Sequence, residues 1–231
     1  GVNQIAVYQY IFQKDNTIGT YSNFKKYLSK HNLKPNKSKK AHLRYETNPG
    51  EQLQFDWKED LQGKEYDDLI FQIRLCDGII FQGGAESDNY ECIVSKYCYE
   101  NNIPTLGICC GQNIIARAIG GTTYKISNPE KHMQMSKQYV HSIKIDKTSK
   151  FYKIVNKEEI IVNSRHKRTI KDCPKLDKVG FCEDGYVDVI ESKDKNFYIG
   201  VRFHPESLYK IDENMNNIFK SFISVCEKGK I

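Results

Sequence analysis

The sequence predicts an α/β fold in which a mainly parallel β-sheet carries helices on its faces. Apolar strands over 77–81 and 103–108 alternate with helical patterns over 88–101 and 112–119, and this alternation is typical of parallel sheets. A tight turn of the form Gly-x-Cys-x-Gly, at 107–111, joins a strand to a helix. The chain has 231 residues and 39% hydrophobic residues, which is enough for one or two domains with a core.

Composition narrows the class of protein. No apolar run is long enough to span a bilayer, so no membrane partner is expected, and the N-terminus lacks a signal-peptide pattern. Eight cysteines are irregularly spaced, without Cys-x-x-Cys pairs, which favours a reducing cytoplasm over disulfides or a metal site. Of the net charge of +6, residues 1–66 contribute +4, with 11 Lys and Arg against 7 Asp and Glu.

The first 66 residues are predicted to form a segment of their own. Thr20-Tyr21-Ser22 can cap a short helix from Asn23 to His31. The basic stretch Lys34–Lys40 is a turn-forming linker. It would suit contact with a phosphate backbone, but its composition favours a solvated loop.

Residues 44–57 resemble the opening of the catalytic domain of a group of insertion-sequence transposases. There, a Pro-Gly-Glu-x-x-Gln-x-Asp-Trp run places the first metal-binding aspartate on a strand, and the matching residue here is Asp56. One carboxylate does not make a two-metal site, and the chain changes character soon afterwards. Residues 1–66 are therefore predicted to be a transposase-like fragment without catalytic competence, with Asp56 in a local structural role. Nucleic acid is not expected as a partner.

The remaining residues, 67–231, carry the strand and helix pattern. Residues 68–75 lead in, as a predicted helix, to the buried strand 77–81. Gln82-Gly83-Gly84 ends that strand with bare backbone that can offer an N–H group.

The turn Gly107-Ile108-Cys109-Cys110-Gly111 follows the nucleophile-elbow pattern, with sulfur in place of a serine oxygen. Gly107 and Gly111 fit because strand and helix backbones pass close to such a turn. The elbow strains Cys109 and exposes its side chain at the sheet edge, and the helix N-terminus favours a thiolate. We therefore predict Cys109 as the nucleophile and the Cys110 N–H as an oxyanion donor. The alternative is a buried cysteine that acts only as a small hydrophobe.

The later part of the chain has the patterns of short strands and a terminal helix. An Asp184-Gly185 turn joins two of these strands as a hairpin, and residues 212–228 form an amphipathic helix with an apolar stripe assigned to core packing. The strands are predicted over 139–145, 160–163, 178–183 and 186–192, and the stripe comprises Met215, Ile218, Phe219, Phe222 and Ile223.

Residues 200–206 are predicted as a strand whose end carries His204 and Glu206. A side chain at a strand end can reach an elbow at the same edge of the sheet. We expect His204 to take the proton of Cys109, and Glu206 to orient the imidazole.

Together, the Gly-x-Cys-x-Gly turn, the later His-Pro-Glu and the earlier Gly-Gly strand resemble class I glutamine amidotransferases. Within that superfamily, residues 162–166 (Val-Asn-Ser-Arg-His) resemble the Val-Asn-Ser-x-His segment of γ-glutamyl-γ-aminobutyrate hydrolases, the γ-glutamyl hydrolase branch. Gly120-Gly121-Thr122 and His132-x-Gln134 are similar to that branch too. The resemblance covers roughly residues 74–226 and implies a three-layer, flavodoxin-like parallel sheet.

The resemblance also implies substrate contacts. Gly83 and Gly84 would supply oxyanion donors together with Cys110. The family usually holds the γ-glutamyl group with a glutamine at the place of Asn113, which is shorter by one methylene.

Two further residues are substrate-contact candidates. Gln112 stands next to the position that the family uses. His166 either lines the substrate pocket or is a surface histidine beside Lys167 and Arg168.

Part of the family's fold has no match in this chain. The family begins with a strand-helix-strand unit before the Gly-Gly strand, at about the place of the transposase-like residues. The sheet is therefore expected to be atypical or truncated there, with an exposed edge, unless residues 1–66 supply substitute structure.

The implied function is a cysteine-dependent hydrolase that cleaves the γ-glutamyl amide bond of a small γ-glutamyl compound through a thioester. No metal or organic cofactor is expected, the partner is the small-molecule substrate, and a homodimer is left open. Two alternatives remain. One is a glutaminase subunit that passes ammonia to a partner synthase, and the other is an inactive fusion remnant or nucleic-acid-binding fragment.

Overall fold

The computed structural model describes residues 20–30, 53–54, 73, 76–83 and 89–228. The predictions for the Lys34–Lys40 linker, for Asp56 and for Gly84 lie outside these residues. So does most of the predicted 68–75 helix, of which Ile73 is helical and fully buried. Among the described residues, no helix is long and apolar enough to cross a membrane.

The strands of the described residues form a large sheet and a small one. Eight of them form the large sheet, in the order β1-β2-β3-β10-β9-β8-β5-β6, and β4 pairs with β7. In chain order the strands are β1 (Leu53–Gln54), β2 (Ile79–Phe81), β3 (Thr105–Ile108), β4 (Thr122–Lys125), β5 (His141–Ile145), β6 (Glu159–Val162), β7 (Arg168–Asp172), β8 (Asp177–Cys182), β9 (Val187–Glu191) and β10 (Tyr198–Val201).

The large sheet has a parallel half and an antiparallel half. Strands β1, β2, β3 and β10 run parallel, which confirms the predicted fold class. The pairs β10–β9, β9–β8, β8–β5 and β5–β6 are antiparallel. The predicted turn at Asp184-Gly185 connects β8 to β9, with Gly185 at a φ of 78°. Such short connections can join only antiparallel strands.

The N-terminal segment contributes a strand to the large sheet. Leu53 pairs with Ile79, and Gln54 with Ile80, in parallel register. This strand covers the edge of β2 that would otherwise be open. Residues from the transposase-like segment thus supply part of the sheet, and the domain boundary at residue 66 stays a prediction.

Six helices and one short 3₁₀ turn, η1, lie among the described residues. The first confirms the helix expected near residue 23, where the Thr20 hydroxyl accepts from the Asn23 amide at 3.4 Å. Their bounds are α1 (Tyr21–Lys30), α2 (Asn89–Glu100), α3 (Cys110–Arg117), α4 (Pro129–His132), α5 (Lys150–Val155), α6 (Glu213–Lys228) and η1 (Pro205–Ser207).

Two hydrophobic clusters lie on opposite faces of the large sheet, which gives three layers. One cluster packs beneath α5 and α6, and the other beneath α2 and α3. Successive residues of β10 belong to different clusters, Tyr198 to the second and Ile199 to the first, because side chains alternate along a strand.

The stripe of α6 differs in one residue from the prediction. Met215, Ile218 and Phe222 are fully buried, whereas Ile223 is 41% exposed. Cys226, which is buried, continues the stripe instead, because it lies four residues beyond Phe222 and so on the same helical face.

The strand predicted over 200–206 is shorter than expected. Strand β10 ends at Val201, and Pro205 begins η1. Proline lacks the N–H that a strand needs for its ladder. His204 therefore stands three residues beyond the strand rather than within it.

Candidate active site

Cys109 occupies the sharp turn between β3 and α3. Its φ of 53° and ψ of −102° lie outside the regions that side chains favour, which confirms the strained elbow. A Cβ on Gly107 would lie 2.6 Å from the Gly111 carbonyl oxygen, and one on Gly111 would lie 2.0 Å from that of Phe81. Both positions therefore require glycine.

His204 and Glu206 lie beside Cys109 because β10 pairs with β3. Val201 is in register with Ile108, and the Cys109 amide donates to the Val201 carbonyl at 2.8 Å. His204 Nδ1 donates to Glu206 Oε1 at 2.5 Å. The other ring nitrogen is left for the sulfur of Cys109, with which His204 forms a hydrogen bond. The structure brings these three residues together.

The main chain of His204 is held by Asn163, at the end of β6. Asn163 Nδ2 donates to the His204 carbonyl at 2.8 Å, and the His204 amide donates to Asn163 Oδ1 at 2.7 Å. Asn163 is 1% exposed, so both bonds are shielded from water. The sequence analysis missed this function, although Asn163 stands in the quoted Val-Asn-Ser segment.

Charge favours a thiolate and an imidazolium at this site. Burial opposes ionisation of Cys109, but the hydrogen bond and charge of His204, the charge of Arg202 and the Cys110 amide outweigh it and lower the thiol pKa. Burial likewise opposes protonation of His204, yet its bonds to Cys109 and Glu206 raise its pKa to about 9. The two groups form an ion pair that shares one proton.

Two predicted oxyanion groups lie at the nucleophile. A Cβ on Gly83 would lie 2.8 Å from His204 Cε1 and 3.3 Å from Cys109 Cβ, so the Gly83 backbone passes directly over the pair. The Cys110 amide forms its hydrogen bond with the Cys109 sulfur. The donor roles of these residues and of Gly84 stay predictions.

The side chains of Gln112 and Asn113 bond within the protein. Gln112 is fully buried, and its Nε2 donates to the carbonyls of Asp188 and Gly200 at 3.1 and 3.2 Å. Asn113 Oδ1 accepts from Arg202 Nη2 at 2.8 Å. These contacts give both amides a place in the framework behind the elbow, and their predicted substrate contacts remain untested.

His166 is buried rather than at the surface, so that alternative is wrong. Its side chain is 4% exposed, and Nδ1 donates to the Arg168 carbonyl at 3.0 Å. Burial and the charge of Arg202 lower its pKa to about 2. The ring is therefore neutral and lies 4.9 Å, between centroids, from that of His132.

Arg165 is a further residue at the site that the sequence analysis did not single out. Its carbonyl oxygen lies 4.0 Å from the Cys109 sulfur, and its Nη1 donates to Ser207 Oγ at 3.2 Å. Its Nε is buried without a hydrogen-bond partner. A guanidinium beside the nucleophile suits a substrate carboxylate.

One buried group of metal-type donors lies beneath the site. Donor atoms of His141, Cys182 and Asp188 lie within 4.8 Å of one another. His141 Nε2 and Asp188 Oδ2 are, however, directly hydrogen-bonded at 2.9 Å. Two of the three ligands thus already bond to each other, and we assign the group to the polar core.

Comparisons with known proteins agree with this geometry. The profile of the family described as Peptidase C26 matches residues 80–206, more than half of the chain. Similar proteins include CTP synthase of Chlamydia abortus, which is 31% identical over 60% of this chain and 32% of that one. The chain thus spans about a third of that enzyme's length.

Two relatives match over most of their own length. The glutamine amidotransferase-like protein YvdE of Lactococcus lactis is 30% identical over 65% of this chain and 74% of that one. A separate subunit of the glutamine-hydrolysing GMP synthase of Methanococcus aeolicus is 32% identical over 64% and 73%. The CTPS glutaminase domain of Trypanosoma brucei, solved with bound acivicin, has a TM-score of 0.58 at 18% identity over 72% and 77%, which shows the fold.

Proposed function

Because the chain belongs to the Peptidase C26 family and carries a class I glutamine amidotransferase-like domain, we propose that it cleaves the γ-glutamyl amide bond of a small γ-glutamyl compound. The observation that carries this proposal is the hydrogen bond between the Cys109 sulfur and His204, whose other ring nitrogen Glu206 holds. This arrangement activates a cysteine for acyl transfer.

The first proposed step forms a thioester. The Cys109 thiolate attacks the γ-carbonyl carbon, and the carbonyl oxygen takes up the negative charge. Main-chain N–H groups of Cys110 and of the Gly83-Gly84 segment bind this oxyanion, each supplying roughly 3 kcal/mol of transition-state stabilisation. The C–N bond then breaks as the His204 imidazolium donates its proton to the leaving amine.

The second step releases glutamate. His204, now neutral, takes a proton from water as the water oxygen attacks the thioester carbon. Collapse of this second tetrahedral intermediate expels the Cys109 thiolate and leaves His204 protonated, which restores the starting ion pair. The raised pKa of His204 suits it to hold that proton between turnovers.

Arg165 is the proposed partner of the substrate's α-carboxylate. Its guanidinium lies on the segment whose carbonyl approaches the Cys109 sulfur, and its unpartnered Nε can join a charge-assisted bond. A γ-glutamyl compound carries a carboxylate at the end remote from the scissile amide. This contact would therefore align the γ-carbonyl with the sulfur.

We place the enzyme in a reducing compartment, the cytoplasm. All eight cysteines are free thiols, and a nucleophilic thiolate needs such surroundings to stay unoxidised.

The direct test is release of glutamate from γ-glutamyl-γ-aminobutyrate and from glutamine. The wild-type protein should release glutamate, and Cys109→Ser should lose turnover by about 10³-fold or more. Cys173→Ser is the matched control, because that buried thiol bonds only to the Leu176 carbonyl, at 3.2 Å. Full activity of the Cys109→Ser protein would remove Cys109 from the proposed role.

A second candidate is a glutaminase subunit that delivers ammonia to a synthase. The resemblance to a separate GMP synthase subunit, over 73% of that subunit, favours it. Glutamine turnover that appears only when a synthase is added, with no cleavage of other γ-glutamyl compounds, would support this candidate over the first.

A further inference from the structure

We propose that Arg202 is a positioning residue that stabilises the ionised sulfur of Cys109 from inside the fold. Arg202 directly follows β10, and its side chain is 1% exposed. The inference rests on the proposed function in one respect only, the naming of Cys109 as the nucleophile.

Hydrogen bonds hold the guanidinium against the back of the elbow. Arg202 Nη1 donates to the Cys109 carbonyl at 3.1 Å, and Nη2 donates to Asn113 Oδ1 at 2.8 Å. The Arg202 amide donates to the Asp188 carbonyl at 2.7 Å. The side chain thus grips the main chain of the strained residue itself, and its orientation is set from both ends.

The charge of Arg202 has no close carboxylate partner. Both side-chain acceptors are neutral oxygens, and its Nε is buried without a hydrogen-bond partner. Among the described residues, no ion pair within 4.0 Å involves this guanidinium. A buried cation without a paired anion is costly, so an anion at Cys109 relieves a cost that the fold already carries.

The charged groups around Arg202 come from three elements. Asp188 on β9 attracts it and Arg168 on β7 repels it, while burial lowers the guanidinium pKa and the anionic forms of Cys109 and Cys110 raise it. His166, which follows β6, is neutral for the reasons given above. Around the sulfur itself, the remaining charged groups are His204 and its partner Glu206.

Arg202 differs from His204 in that its charge does not change during turnover. His204 gives its proton to the leaving amine in the first step and regains one in the second. An arginine does not lose its proton in a protein. Arg202 therefore stabilises the thiolate both as the attacking group and as the leaving group of the second step.

The test compares Arg202→Gln, which is neutral, with Arg202→Lys, which keeps the charge. The rate at which iodoacetamide alkylates Cys109 is measured against pH, with the adduct located by mass spectrometry and folding checked by thermal melting. In Arg202→Gln we expect the Cys109 pKa to rise by about one unit, which cuts the thiolate fraction near pH 7 about tenfold. Arg202→Lys should restore most of that loss.

A merely structural role predicts a different result. In that case both variants would melt at lower temperature while the pH profile of Cys109 stayed that of the wild type, and this outcome would overturn the inference. The alkylation profile of Cys173 should not shift in either variant, which makes it an internal control.

A second variant covers the case in which Arg202→Gln does not fold. Asn113→Asp is nearly isosteric and puts a carboxylate where Asn113 Oδ1 lies 2.8 Å from the guanidinium. Quenching the charge in this way should also raise the Cys109 pKa, and an unchanged profile would count against the inference.

Failure of the inference and failure of the proposed function can be told apart, because alkylation needs no substrate. Wild-type turnover with an unshifted profile in Arg202→Gln rejects only the role of Arg202. A shifted profile in a protein that cleaves no γ-glutamyl compound rejects only the proposed substrate.

Discussion

Asn163 holds the main chain of His204 through both of its side-chain polar atoms. The amide nitrogen donates to the His204 carbonyl at 2.8 Å, and the amide oxygen accepts from the His204 amide at 2.7 Å. His204 lies beyond the end of β10, where no ladder bond positions it. The imidazole therefore depends on a side chain from another strand for its place beside the sulfur.

Removing this grip should lower turnover more than stability. We expect Asn163→Leu, which has a similar shape and no polar atoms, to reduce kcat by about 10²-fold, because small displacements of a catalytic group are that costly. Steady-state hydrolysis of a γ-glutamyl amide measures the effect. Asn101→Ala removes an exposed amide that bonds to the Tyr97 carbonyl, and unchanged activity there is the control. A kcat near the wild-type value in Asn163→Leu would contradict the positioning role.

The pH dependence of kcat/KM should be bell-shaped. The Cys109 pKa is lowered and the His204 pKa is raised to about 9. The ion pair therefore forms as pH rises through the first value and is lost as pH rises through the second. Activity should fall on the alkaline side near the raised value, because neutral His204 cannot protonate the leaving amine.

Glu206 should set the position of the alkaline limb. Its bond to Nδ1 contributes to the raised pKa of His204, so Glu206→Gln should move that limb to lower pH while a rate near the optimum survives. The pH profile of kcat/KM is the measurement. An alkaline limb at the wild-type position in Glu206→Gln would show that Glu206 does not tune the imidazole.

Gly83→Ala should disturb the catalytic pair directly. The added Cβ would lie 2.8 Å from His204 Cε1, so the ring must move from the sulfur, and we expect kcat to fall about tenfold or more. Gly185→Ala is a matched control. Its Cβ would meet nothing within 4 Å, but its φ is 78°, so it should cost about 1 kcal/mol of stability and leave kcat unchanged. Equal kcat values for the two variants would refute the contact.

Arg165→Gln should weaken substrate binding. Loss of a charge-assisted bond to the substrate's carboxylate should raise KM by about tenfold or more, with a smaller change in kcat. Lys167→Gln changes an exposed cation two residues further on and should leave KM as it is. An unchanged KM in Arg165→Gln, or an equal rise in both variants, would argue against the carboxylate contact.

The elements with strong local patterns could be predicted from the sequence. The elbow at Cys109 was predictable because two glycines must stand where the backbones of β3, α3 and β2 nearly touch. The parallel strands at the core are continuous apolar runs, and α6 has a clear helical stripe. Strands β4 and β7 and the helix α5 were missed because they are short and half-exposed, so their apolar residues show no clear period.

The directions of individual side chains were less predictable. Gln112 and Asn113 occupy positions that the family uses for substrate, yet their amides point to Gly200 and Arg202 in the neighbouring strand segment. Arg202 and Asn163 act through contacts far apart in the sequence. No local pattern in a single sequence reports such contacts, because they depend on which strands become neighbours.

The most direct test of the account is labelling with a glutamine-like diazo-ketone, followed by mass spectrometry. Such a reagent combines the γ-glutamyl shape with an electrophile that only an activated nucleophile attacks. We predict a single adduct on Cys109, formed much more slowly in His204→Asn and absent in Cys109→Ser. An adduct on a different cysteine, or no adduct in a protein that still hydrolyses γ-glutamyl amides, would contradict the convergence of Cys109 and His204 on one acyl carbon.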